Sequence, residues 1–314
     1  MKFRFVFSFF GALLYLATTA VAQPNYPHDV VRLITHSSPG GGSDVFLREL
    51  ASYLGAEMNV TFVVVNVRGG SGARAMARLA NSPADGSVFY ATTPTYIYTS
   101  LLSRPGSTYR DLEPLVNVFF DEEVLYTRAD GPFQSLDDMI AAAREGRGRW
   151  GAANPASLER QALERLKTAA GVTPAVVTYE GGGELLLNVL NGTLDIGVGE
   201  AIELRSQIEA QQLRLLAVFS AERSAQFPDV PTVKEAGFEV VVSKFRGFAG
   251  PKGLPPEVVA AWERGVERVL ANADYRRQSA LLTPAFMPHV EYGQFIDRFA
   301  AETESYLRET GTIR

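Results

Sequence analysis

The chain of 314 residues contains no cysteine. That excludes disulfides, thiolate metal sites, a cysteine nucleophile and the lipidated cysteine of an anchored lipoprotein. Histidine is almost as scarce, with only His28, His36 and His289. No H-E-x-x-H, E-x-x-H or similar metal spacing occurs, so no metal site is expected. A serine hydrolase needs a base beside its nucleophile. Here the nearest approach to a G-x-S-x-G elbow is Gly69-Gly70-Ser71-Gly72-Ala73. Positive charge is also short, with 30 Lys and Arg against 35 Asp and Glu. Phosphate contacts require a basic face, so nucleic acid is not an expected partner.

The first residues point to export. Lys2 and Arg4 precede an apolar run from Phe5 to Leu16, and Ala20-Val21-Ala22 supplies small residues for cleavage. This order reads as a signal peptide over residues 1–22, cleaved after Ala22, and as delivery to the periplasm. The alternative is an uncleaved anchor, for which the apolar run is short. Cleavage removes two basic residues and takes the formal net charge from −5 to −7. What remains has the length of two domains, held by their cores alone.

Along the chain, strand, glycine turn and helix recur. Val30 to Thr35 reads as a buried strand ending in Ser38-Pro39-Gly40-Gly41-Gly42-Ser43-Asp44, before a helix carrying Leu47, Leu50, Ala51 and Leu54. Phe62 to Val65 leads into Arg68-Gly69-Gly70-Ser71-Gly72 and a short helix, and Val88 to Ala91 is the next strand. The middle repeats the logic. Trp150 to Ala152 precedes Asn154-Pro155-Ala156-Ser157 and a helix through Leu166; Val176 to Tyr179 precedes Glu180-Gly181-Gly182-Gly183 and a helix to Leu190. Leu194 to Val198 and Leu213 to Phe219 are further strands. This is the pattern of an α/β fold with parallel sheets. Leu115 to Tyr126 and Ser243 to Pro251 read as crossings between domains. The expected division is residues 23–118 plus 247–314 as lobe 1 and 119–246 as lobe 2.

Four glycine-bearing turns precede helices: Gly40 to Ser43, Gly70 to Gly72, Asn154 to Ser157 and Gly181 to Gly183. A helix N-terminus carries unpaired N–H groups and partial positive charge, and glycine lets an anion come close. Each turn alone reads as packing. Two in each lobe point instead to an anion held in a crevice at the strand ends.

These segments carry a resemblance. PGGGSD (Pro39 to Asp44), NVRGGSG (Asn66 to Gly72), PADG (Pro83 to Gly86), TYEGGGELLLNVLNGTLD (Thr178 to Asp195), and LRLLAV (Leu213 to Val218) followed by FPDVPTVKEAGF (Phe227 to Phe238) resemble, in order, the substrate-binding proteins of tripartite tricarboxylate transporters, the Bug family. The resemblance implies a two-lobed Venus-flytrap fold, type II-like, with two crossover strands. It implies a monomer that captures a small organic acid without cofactor or catalysis and delivers it to large and small membrane subunits. Ligand contacts would fall on Ser38, Gly40, Gly41, Gly70, Ser71, Thr92, Thr93 and Thr95 in one lobe, and on Ala153, Asn154, Ser157, Gly181 and Gly182 in the other. Departures bear on the ligand. His36-Ser37, Val67, Gly69, Arg160 and Glu180 replace the family's usual residues. Asp121-Glu122-Glu123 and Glu200 add carboxylates near the crossover and at a strand end. The triplet reads equally as a solvated loop, whereas Glu200, after the apolar Ile196 to Val198, is expected at the site. Acids facing the cleft would repel a plain dicarboxylate and suit a ligand carrying an amine or hydroxyls.

Two other classes compete. Gly70-Ser71-Gly72-Ala73-Arg74-Ala75 approaches the dinucleotide fingerprint, but Thr92-Thr93 stands where the ribose-binding acid belongs, so an α/β enzyme is disfavoured. A periplasmic sensor subunit that presents its ligand to a receptor would use the same closed form, and neighbouring genes for membrane subunits would separate the two.

Overall fold

The computed structural model describes residues 26–314. The signal-peptide reading of residues 1–22 lies outside them. The β-branched run Val30–Thr35 forms β1, whose Val31, Leu33 and Ile34 are buried. It leads into α1 (Gly42–Met58), which turns Phe46, Leu47, Leu50 and Leu54 inward at helical spacing. The elements β2 (Thr61–Asn66), α2 (Ala73–Ala80), β3 (Val88–Thr92), α3 (Pro94–Ser103) and β4 (Leu112–Asp121) follow. The middle of the chain supplies β5 (Glu123–Arg128), α4 (Leu136–Arg144), β6 (Trp150–Ala153), α5 (Leu158–Ala170), β7 (Val176–Tyr179), α6 (Gly182–Leu190), β8 (Ile196–Glu200), α7 (Ala201–Glu209) and β9 (Leu213–Val218). The last part supplies β10 (Lys244–Pro251), α8 (Pro256–Ala271), α9 (Ala273–Gln278), β11 (Thr283–Met287) and α10 (His289–Glu309).

The strands make two sheets. One has six strands in the order β11-β4-β10-β3-β1-β2, the other five in the order β7-β6-β8-β5-β9. The expected parallel pairing holds for β2-β1-β3 and for β7-β6-β8. The remaining pairs are antiparallel, so both sheets are mixed. The reason lies in the crossings, because a strand arriving from the other sheet runs against the βαβ units it joins. The stretch Leu115 to Tyr126 is accordingly two strands, β4 in the first sheet and β5 in the second, parted at Glu122.

Apolar side chains pack on both sheets, and one buried cluster runs from the first lobe into the second. Under the first, Trp262 of α8 meets Phe89 and Phe248 with ring centroids 4.4 Å and 4.8 Å apart. Full burial of each such side chain contributes about 1.5–3 kcal/mol. Against the second, Trp150, Leu163, Leu166 and Val198 are buried. The fold thus presents two sandwiches whose parallel strands, β1, β3, β6 and β8, end toward one crevice.

Candidate ligand-binding cleft

In the crevice, the turn after β1 meets the turn before α6. A methyl group placed on Gly181 would stand 2.3 Å from Ser38 Oγ, and one on Gly183 would stand 2.6 Å from the carbonyl oxygen of Pro39. Polar contacts also span the two lobes. The Ala156 N–H donates to Ser71 Oγ (3.3 Å), Arg68 pairs with Glu184, and Arg205 pairs with Glu49 (3.2 Å). The lobes are therefore closed on each other. The cavity left between them measures about 20 Å³, room for one water-sized group.

Six of the residues expected from sequence line this cavity: Thr93, Thr95, Ala153, Asn154, Gly182 and Glu200. Ser38, Gly41 and Gly181 are buried where the two turns touch. Ser71 bridges the lobes, and Gly40 and Gly70 are exposed. Two residues point elsewhere. The Thr92 hydroxyl bonds to Tyr292 (2.7 Å), and Ser157 caps α5 by accepting from the Arg160 N–H (3.1 Å). The Arg160 side chain also faces away, donating to the Val176 carbonyl and pairing with Glu164.

The cavity is dominated by charge that sequence reasoning placed only in part. Five carboxyls, Asp121, Glu123, Glu159, Glu200 and Glu203, are buried with two cations, Lys244 and Arg246. The Lys244 ammonium lies 2.7 Å from Glu159 and 3.2 Å from Glu123, and also pairs with Glu200. Arg246 pairs with Asp121 (2.6 Å) and donates to Ser43 Oγ (3.1 Å). Asp121 and Glu123 are thus interior groups, while Glu122 between them is half-buried. Glu123, Glu159 and Glu200 could together surround a metal ion, but the Lys244 ammonium already occupies the cationic position among them. His36 turns away from the charges enough to bond Tyr90 through Nδ1 (2.6 Å).

Glu203, in the first turn of α7, accepts the Gly42 N–H at the start of α1 across the cleft (2.7 Å). A second-lobe carboxylate therefore stands on the first-lobe helix N-terminus expected to hold an anion. The glycines around it make its room. A Cβ on Gly182 or Gly199 would fall 2.1 Å or 2.2 Å from its oxygens. Sequence reasoning did not place Glu203, Lys244 or Arg246 in the site, though two local signals could have drawn attention to them. Glu203 follows Glu200 at a spacing of three, and Lys244 and Arg246 alternate on one face of β10.

Titration follows from burial. Desolvation, with Glu159 and Asp121 nearby, pushes both Glu123 and Glu203 up to about 8. Glu159 is also desolvated, yet Lys244 beside it holds its carboxyl below the ordinary range. Burial, aided by Lys244, lowers His36 to about 4, so its ring is neutral at physiological pH.

Two α/β lobes, two crossings and a closed cleft at the strand ends define a solute-binding protein of the Venus-flytrap kind. The chain belongs to the tripartite tricarboxylate transporter family receptors (TctC), whose model matches residues 46–311; membership implies a periplasmic location. It is 29% identical to protein BugT of Bordetella pertussis over 272 residues, covering 82% of this chain and 83% of BugT. Among solved structures it is similar to Rhodopseudomonas palustris Rpa4515 with adipate, at 25% identity and TM-score 0.86, covering 91% of this chain and 99% of that one. It is also similar to a TctC solute-binding protein from Polaromonas with no ligand, at 25% identity and TM-score 0.64, covering 91% and 100%.

Proposed function

We propose that the protein captures a small carboxylate-bearing solute between its lobes and delivers it to the large and small membrane subunits of a tripartite tricarboxylate-type transporter. The observation that carries this reading is the meeting of the α1 and α6 N-terminal turns across one cleft. Their first-turn N–H groups lack helical acceptors and favour an anion. The adipate carried by the R. palustris relative agrees with such a ligand. Contacts from both lobes would come from the Ser38 to Gly42 turn, Thr93 and Thr95, and from Asn154 and Gly181 to Gly183.

A cavity of about 20 Å³ cannot admit such a solute, so the lobes must part. The two relatives of equal identity and coverage support two lobe arrangements, since the ligand-free one superposes far less well. The moving bodies are the two lobes, one built on the first sheet and the other on the second, and the hinge comprises Phe119 to Glu122 and Lys244 to Gly247. Two short crossings fix a bending axis about which the lobes turn. Apart from Glu203, which accepts the Gly42 N–H, the cleft's charged groups are engaged with one another, and the neutral His36 is committed to Tyr90, so binding without turnover is the reading. The test is scattering and mass balance on the purified protein. Saturation with a bound carboxylate should reduce the radius of gyration, and the ligand should be recovered unchanged. Chemical conversion of the ligand would refute the receptor reading, and identical scattering profiles would refute the closing motion.

A further inference from the structure

The cleft buries three more acids than bases, and its cations are unevenly shared. Lys244 is engaged with Glu123, Glu159 and Glu200, and Arg246 with Asp121 and Glu200. Among the described residues, Glu203 has only the Gly42 N–H as polar partner. Its Oε1, the Oε2 of Glu159 and the hydroxyl of Thr93 have no hydrogen-bond partner, although each residue is more than nine-tenths buried and lines the same cavity. A buried oxygen left without a partner is costly, because it has given up water and gained nothing in return. Three in one small space indicate a missing donor. Two of the three are carboxylate oxygens, so the donor that suits them is a cation.

We propose that the ligand of this cleft carries a protonated amine besides its carboxylate, and that the ammonium seats among Glu159, Glu203 and Thr93. An ammonium offers three donors to three waiting acceptors and is of the size the cavity admits. Lys244 beside them, held by Glu159 together with Glu123 and Glu200, shows that Glu159 already takes one such group. A dicarboxylate has no counterpart for Glu203 and would add charge of the sign already in excess. Burial also holds Glu203 protonated at neutral pH in the empty cleft, so an arriving cation would replace a proton rather than meet an unbalanced charge.

This inference rests on the proposed receptor function, and one calorimetric series separates the two. The purified protein is titrated at pH 7 with diacids of four to six carbons, with the ω-amino acids of matching length, and with α-amino acids. At least one amine-bearing member should bind tenfold or more tighter than the diacid of its length. Glu203→Gln keeps an acceptor for Gly42 while removing the charge, and should shrink that preference about tenfold. Diacids binding as well as or better than every amine-bearing partner would overturn the inference and leave the carboxylate receptor standing. Binding by no member of either series would overturn both. If Glu203→Gln does not fold, the preference of the unmodified protein decides alone. If the variant folds and keeps the full preference, the assignment of the ammonium to Glu203 is wrong.

Discussion

Gly183 offers a way to separate lobe closure from lobe stability. It lies inside α6 and is absent from the glycines of positive φ, so alanine suits its backbone. By helix propensity alone, Gly183→Ala should favour α6 by up to about 1 kcal/mol. The added methyl, however, would stand 2.6 Å from the Pro39 carbonyl oxygen in the opposite lobe, with the Gly40 carbonyl carbon and Gly41 nitrogen at 3.4 Å. These are backbone atoms with no rotamer to change, so the lobes must back away. Overpacking of this kind costs about 1–3 kcal/mol. On the premise that the liganded lobes are held with these two turns in contact, the cost falls on ligand affinity, as a loss of roughly five- to 150-fold. The assay is calorimetry with any ligand bound by the unmodified protein, paired with scattering and urea unfolding. We expect weaker binding, a larger radius of gyration at saturation, and unfolding stability equal to or above the parent. Parental affinity with a parental scattering profile would refute the idea that binding requires the two turns to meet.

Other outcomes follow from the buried charges and caps. Glu123 and Glu203, raised to about 8, keep protons that the unfolded chain has lost, so their contribution to stability is full at acid pH and falls as pH rises through 8. His36, lowered to about 4, works oppositely, losing stability as pH falls from 6.5 toward 4. Between pH 6.5 and 8 the carboxyls act alone, and stability should drop by up to about 2 kcal/mol for each proton retained. Urea midpoints across that window should show it, with a shallower slope in Glu203→Gln. Lys244→Met should lower stability at pH 8 by about 3–5 kcal/mol in urea unfolding, because it strands Glu123, Glu159 and Glu200. Ser157→Ala removes the α5 cap and should cost about 1 kcal/mol of stability by the same measurement.

The strands read most plainly from sequence were the short β-branched runs. Val30 to Thr35 and Val176 to Tyr179 are strands with those bounds. The helix α3 was not legible, and its burial explains why. Pro94 through Leu101 are buried on every side, so the segment has no polar face to give a period. Its Thr, Tyr and Ile also favour strands. Strand β11 carries Pro284 and lies at a sheet edge, where strand signals are weakest. At the cleft, the glycine turns announced themselves locally. The assembly of Glu123, Glu159, Glu200 and Glu203 about Lys244 did not, because those residues are brought together only by both crossings and both sheets.

The strand order of the first sheet has a consequence for how the molecule is made. β3 and β4 are close in sequence, yet β10 lies between them, and β11 adds the far edge. Until the last quarter of the chain arrives, β3 exposes an unpaired flank and β4 has no neighbour on either side. The first domain therefore cannot assemble as its own residues emerge. It must wait for the second to be threaded past, and long-range pairing of this kind is slow. A chain cut short before β10 would not be a protein lacking its tail. It would have one domain able to close its sheet and another left with three strands and an open edge.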